Sequence, residues 1–201
     1  MLRKSRRLFL SIALLGLAGC SSGFLVDYTA LPQEVSRAWN VQDIVVTVPN
    51  DLTVNTTNYM IPPEDIVWYG EQTGDTRQQV AAIVKDGLRE GSASLTGSVP
   101  VVWHVELIKF HALTPKAFYN APSGTGVESV RFKMNVLDAR TLAVLVPEQI
   151  IAADGPARVA ADGGSRGYME RKRIVLKIAE TTRGWLGIGY DNRRTFQRFG
   201  G

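Results

Sequence analysis

An α+β domain, with a small, mainly antiparallel sheet and two packed amphipathic helices, is the fold that three observations predict. Val101, Trp103, Val105 and Leu107 alternate with Val102, His104, Glu106 and Ile108. Val130, Phe132, Met134 and Val136 alternate likewise with Ser129, Arg131, Lys133 and Asn135. A period of two belongs to a strand with one buried face. Val80, Ile83, Val84 and Leu88 instead fall at helical spacing, as do Val175, Ile178, Ala179, Thr182 and Leu186.

The chain opens with Arg3, Lys4, Arg6 and Arg7, followed by an uncharged apolar run over residues 8–17 and then Ala18, Gly19 and the single cysteine, Cys20. This is the layout of an export signal with its cleavage site. A helix over residues 8–17 would reach about 15 Å, half of a hydrocarbon core near 30 Å, so it is too short to span comfortably. Leu17-Ala18-Gly19-Cys20 resembles the lipobox of bacterial lipoproteins. The resemblance implies that residues 1–19 are a signal peptide and that the Cys20 sulfur, a nucleophile as thiolate, accepts a diacylglycerol. Each buried methylene is worth about 0.8 kcal/mol, so two or three chains anchor firmly. Ser21 follows the cysteine where aspartate often marks retention at the inner membrane, which favours the outer membrane.

Residues 20–40 lack periodicity and are expected to form a tether, and residues 41–186 a single periplasmic α+β domain. Asp43-Ile44-Val45-Val46-Thr47-Val48 reads as its first strand, stopped by Pro49-Asn50-Asp51. A polar loop over residues 50–65 leads to a short extended piece, Ile66-Val67-Trp68-Tyr69. Asp75 and Gln78 stand at capping-box spacing, predicting a helix over residues 76–90 with Gly91 as its stop. A loop rich in Pro, Ser, Gly and Asn is expected over residues 114–126. Asp138-Ala139-Arg140-Thr141 turns the second long strand into a return arm, where Pro147 implies a bulge or an edge. Ala152-Ala153-Asp154-Gly155 and Ala160-Ala161-Asp162-Gly163 read as two turns. Residues 187–201, with Arg193, Arg194 and Arg198, are expected to be a mobile basic tail.

The chain carries 23 Lys plus Arg against 19 Asp plus Glu. The four cations of residues 1–19 account for the excess, leaving a formally neutral remainder and no argument for nucleic-acid binding. An asymmetry remains, about −6 over residues 20–155 and about +6 over residues 156–201. The two parts could attract each other or face different partners. Arg171, Lys172 and Arg173 oppose the dipole at the start of the second helix, which calls for an acidic neighbour or a membrane. With 45% hydrophobic residues and one cysteine, stability is expected from packing rather than disulfides.

The search for chemistry is largely negative. No Gly-x-Ser-x-Gly elbow, His-Glu-x-x-His motif or phosphate-binding loop is present. His104 and His111 would fall on opposite faces of an uninterrupted strand, which disfavours a shared metal. Asp154 and Asp162 lack the dense oxygens of a calcium loop. Glu64 and Asp65 beside two prolines read as an exposed turn rather than an acid-base pair. No metal, cofactor or catalytic residue is expected. Trp68 and Tyr69 are the partner-binding candidates, because aromatics give large contact area at small entropy cost. Core packing is the alternative for Trp68.

The strand at residues 44–48, Trp68, the stripe from Val80 to Leu88, the strand at residues 101–110 and the hairpin at residues 130–146 follow an order similar to the small domain of ABC-transport auxiliary and related envelope-assembly lipoproteins. That resemblance covers residues 41–153. It implies a non-enzymatic binding or assembly module, held to the membrane by lipid on Cys20 and working with an envelope protein complex. A lipid-anchored hydrolase with a dispersed active site and a structural envelope lipoprotein are the competing expectations.

Overall fold

The computed structural model describes residues 23–71, 73–122, 124–157, 166–193 and 195–199. Cys20, the signal segment and the Ala160-Ala161-Asp162-Gly163 string lie outside them. In chain order the elements are β1 (Gly23–Asp27), α1 (Gln33–Ser36), β2 (Trp39–Thr47), β3 (Ile66–Val67), α2 (Thr76–Ser92) and β4 (Val99–His111), followed by α3 (Pro115–Asn120), β5 (Val127–Asp138), β6 (Val144–Ala153), β7 (Gly155–Pro156), α4 (Arg166–Trp185) and β8 (Gln197–Phe199).

One sheet runs in the order β2-β4-β5-β6-β1-β8, with β3 beside β4 and β7 beside β5. The α+β class holds, but the sheet is mixed. β2 and β3 run parallel to β4, while β4 with β5, β5 with β6, β6 with β1 and β1 with β8 are antiparallel. A strand followed by a crossover helix returns parallel to itself, and α2 is that crossover.

Helix α2 starts where expected, with the Asp75 carboxylate accepting from the Arg77 amide. It does not stop at Gly91. Residues 87 and 91 both lie inside α2, where it packs alongside α4. A methyl group at Gly87 would stand 2.6 Å from Ile178 Cβ, and one at Gly91 would stand 2.5 Å from Thr182 Cβ. The pairings 87 with 178 and 91 with 182 advance together, so the helices are parallel. Here glycine permits helix contact rather than helix termination.

Between these helices and the sheet lies one core. Trp103 meets Trp185 edge-on at 5.3 Å, Trp39 stands 6.3 Å from Trp185, and Trp68 meets Phe110 edge-on at 5.9 Å. Burying side chains of this size contributes about 1.5–3 kcal/mol each, more than any surface ion pair.

Both expected end segments are corrected. Within the expected tether, β1 pairs with β6 and β8, and Tyr28 is buried. The Tyr28 hydroxyl donates to Asn192 Oδ1 at 3.0 Å and accepts from the Asn192 amide. Within the expected mobile tail, Ile188 packs on the core, Asn192 is buried and residues 197–199 form β8. Neither segment alternates over enough residues to betray a strand. The expected loop at residues 114–126 likewise contains α3, capped by Thr114 accepting from the Ala117 amide.

Candidate functional site

The strand directions sort functional candidates to two ends of the sheet. β4 ends at His111, β5 begins at Val127, β6 ends at Ala153 and β1 begins at Gly23, all at one end. The β5–β6 turn and α1 lie at the other. Three buried charge groups gather at the first end. Asp154, fully buried, accepts from Ser129 Oγ at 2.7 Å, from the Leu25 amide at 3.0 Å and from Arg131 at 2.7 Å. Arg131 also donates to the Gly23 carbonyl. This set clips β1 to the sheet. Glu128 pairs with Arg173 at 3.1 Å, and burial nevertheless pushes its carboxyl up to about 7. Glu170 accepts from the Leu113 amide and faces Arg166 at 3.5 Å, with burial again raising its pKa.

The cations at the start of α4 therefore meet acidic neighbours. Arg171 reaches Asp86 at 2.7 Å and Glu71 at 3.5 Å, and Arg173 reaches Glu128. These pairs join the basic and acidic parts of the sequence within one body. They are structural ties, since each charged group is matched by another group of the same chain.

Of the two sequence candidates, Trp68 lies in the core and does not offer its ring to a partner. Tyr69 is half-buried, its hydroxyl donating to Asn55 Oδ1 at 2.6 Å, while Asn55 donates to Glu64. Asp65 accepts from the Thr53 amide and hydroxyl, which holds its pKa below the usual carboxylate range. Glu64 and Asp65 thus close the loop on itself. The structure does not bring Trp68 and Tyr69 together into a surface.

The two histidines are also rearranged. A register shift between Leu107 and Lys109 inserts a bulge, so His104 and His111 share a face despite their odd spacing. Seven residues of strand still separate them by about 23 Å. The half-buried His111 ring is held near the Glu64 carbonyl, and its desolvation together with the Lys109 charge lowers its pKa to about 4. Among the described residues no group of three or more His, Cys, Asp or Glu side chains could hold a metal ion.

A cleft of about 590 Å³ lies beside β1, lined by Leu25, Asp27, Asp191, Arg193 and Gln197. Two of its charged groups engage each other: Arg193 forks onto Asp191 at 2.7 and 2.9 Å and stacks over the Tyr28 ring at 5.2 Å. Such a lining offers walls rather than converging reactive groups.

The bulge or edge that Pro147 implied is present, with an exposed apolar surface along it that the sequence did not reveal. β6 pairs with β5 along its length, but with β1 only at Ala152 and Ala153, so among the described residues Val144 to Gln149 keep an edge that no strand covers. Pro147 sits at a bulge there, where three residues of β6 span two of β5. Val144, Leu145 and Ile150 are exposed, and Leu142, 66% exposed at the preceding turn, has φ 61°. Leucine in the left-handed region costs about 1–2 kcal/mol. The signal was the unbroken apolar run from Leu142 to Val146, which does not alternate as a half-buried strand should.

Among the described residues no helix is long and apolar enough to cross a membrane. No curated protein matches the chain. Solved structures with a similar course include a candidate lipoprotein from Caulobacter crescentus CB15, at 11% identity and TM-score 0.37, covering 77% of this chain and 88% of that one. The PelC dodecamer from Paraburkholderia phytofirmans is similar at 12% identity and TM-score 0.34, covering 78% and 97% respectively. The protein CT253 from Chlamydia trachomatis is similar at 11% identity and TM-score 0.37, covering 74% and 98%. Residues 39–201 match a family of unknown function, DUF6778, and the chain belongs to that family.

Proposed function

We propose that this protein is a lipid-anchored, non-enzymatic binding or assembly module of the bacterial envelope, attached through Cys20 and displayed on the periplasmic face, with the outer membrane as its favoured location. The observation that carries the binding role is the uncovered β6 edge, headed by a strained and exposed Leu142. A partner segment laid along Val144 to Gln149 would gain main-chain hydrogen bonds, while Val144, Leu145 and Ile150 would supply apolar contact. Pro147 and the bulge beside it limit how much edge is open, which guards against indiscriminate pairing. The buried charges support the same reading, because their ties hold the sheet and α4 together rather than converging on a cleft.

A photo-crosslinking residue at position 145 in the native host tests this directly. We expect it to capture an envelope protein, and Val144→Lys, made beside the probe on the same exposed edge, to abolish that capture without moving Tm. Position 145 capturing no envelope protein, while the protein is present and folded in the membrane fraction, would contradict the proposal.

A further inference from the structure

We infer that the end of the sheet where β1 begins is a bilayer-facing surface, on which Tyr59, Met60, Ile61 and Tyr119 rest against lipid. The inference deepens the anchored reading above and rests on it for the position of the bilayer. Three residue steps separate Cys20 from Gly23, and three extended residues cover at most about 11 Å. Gly23 is not free to swing away from the body. Its carbonyl accepts from Arg131, the next two residues pair with β8, and Leu25 is held by Asp154. A lipid on Cys20 therefore brings this end of the fold, rather than the β5–β6 turn, to the membrane.

That same end presents an apolar cluster with a rigid support. The loop after β2 comes to lie beside α3, where the buried Thr114 hydroxyl donates to the Tyr59 carbonyl at 2.7 Å and the Lys116 amide donates to Asn58 Oδ1 at 2.7 Å. Thr114 also caps α3, so one side chain fixes both loop and helix. The loop backbone is pinned while its apolar side chains are exposed, Ile61 at 80% with Tyr59 and Met60, and on the neighbouring α3 Tyr119 is 73% exposed. Loop tips in water ordinarily carry small or polar residues. Tyrosine is suited to the headgroup level because its ring is apolar and its hydroxyl is not, and Ile and Met gain by leaving water. The apolar β6 edge begins at the opposite end, where a body seated in this way would leave Leu142 open to a partner.

The test is hydroxyl-radical footprinting of the full lipidated protein on vesicles of phosphatidylethanolamine and phosphatidylglycerol, against the full-chain Cys20→Ser variant in solution. The same digest reports the mass of the Cys20 peptide. We expect that peptide to carry lipid, labelling of Tyr59, Met60 and Tyr119 to fall several-fold on vesicles, and labelling of Leu142 to stay unchanged. A lipidated Cys20 with undiminished labelling at Tyr59 and Tyr119 would overturn the docking surface and leave the anchor standing. A Cys20 peptide without lipid would overturn the anchored reading, and the bilayer placement with it. Ile61→Asp with Tyr119→Asp in the lipidated chain should restore labelling of Tyr59 and Met60 at unchanged Tm; continued protection would also contradict the inference.

Discussion

Asp154 shows how a single buried side chain ties the chain's beginning to its middle. It matches Arg131 and two further donors, so Asp154→Ala leaves a cation and a hydroxyl without their acceptor. We expect a loss of about 3 kcal/mol, read from urea unfolding, with proteolytic release of β1 preceding global unfolding. Titrating groups at the same end act in opposite directions. Burial and the Lys109 charge lower His111 from 6.5 to about 4, so the unfolded chain takes up a proton in that window that the folded chain refuses, and stability falls as pH falls. Burial raises Glu128 from 4.5 to about 7 against the opposing Arg173 charge. Its contribution is full below about 4.5 and is lost as pH rises toward 7. Between pH 4.5 and 6.5, Glu128→Gln should therefore gain more stability with rising pH than the wild type, and His111→Gln should gain less. Urea midpoints at the two pH values check both signs. Neither shift was legible in sequence, because the loop at Glu64 that lies against His111 and the packing of α4 against Glu128 are both tertiary contacts.

At the scale of elements, the contact between α2 and α4 sets how closely the helical layer can lie. Gly87→Ala forces a methyl against Ile178 Cβ, and Gly91→Ala forces one against Thr182 Cβ. Overpacking of this kind costs about 1–3 kcal/mol, enough to lower Tm by several degrees despite the gain in helix propensity. A rise in Tm would contradict the close parallel approach. The long strands and both helices were legible because each alternates or repeats over many residues. β1, β8 and α3 were not, since three to six residues are too few to show a period. Gly91 misled for a related reason: a glycine after a helical stripe looks like a cap until the facing helix is known. The mixed sheet was likewise hidden, because periodicity identifies a strand without giving its direction.

For the whole molecule, the account joins an attachment point at one end of the sheet to an uncovered edge that begins at the other. The proposed attachment rests on residues 3–20 alone, where charge, apolar length, small residues and cysteine follow the order of an export signal. Pro147 marked a bulge or an edge in this arm, but the apolar surface along it was not readable, because exposure of Leu145 depends on how briefly β1 pairs with β6. Mass spectrometry of the amino-terminal peptide of the protein purified from its native host tests the central claim most directly. The account predicts a peptide beginning at Cys20 and bearing a diacylglycerol. An unmodified Cys20 thiol in a chain that still begins at Met1 would contradict it.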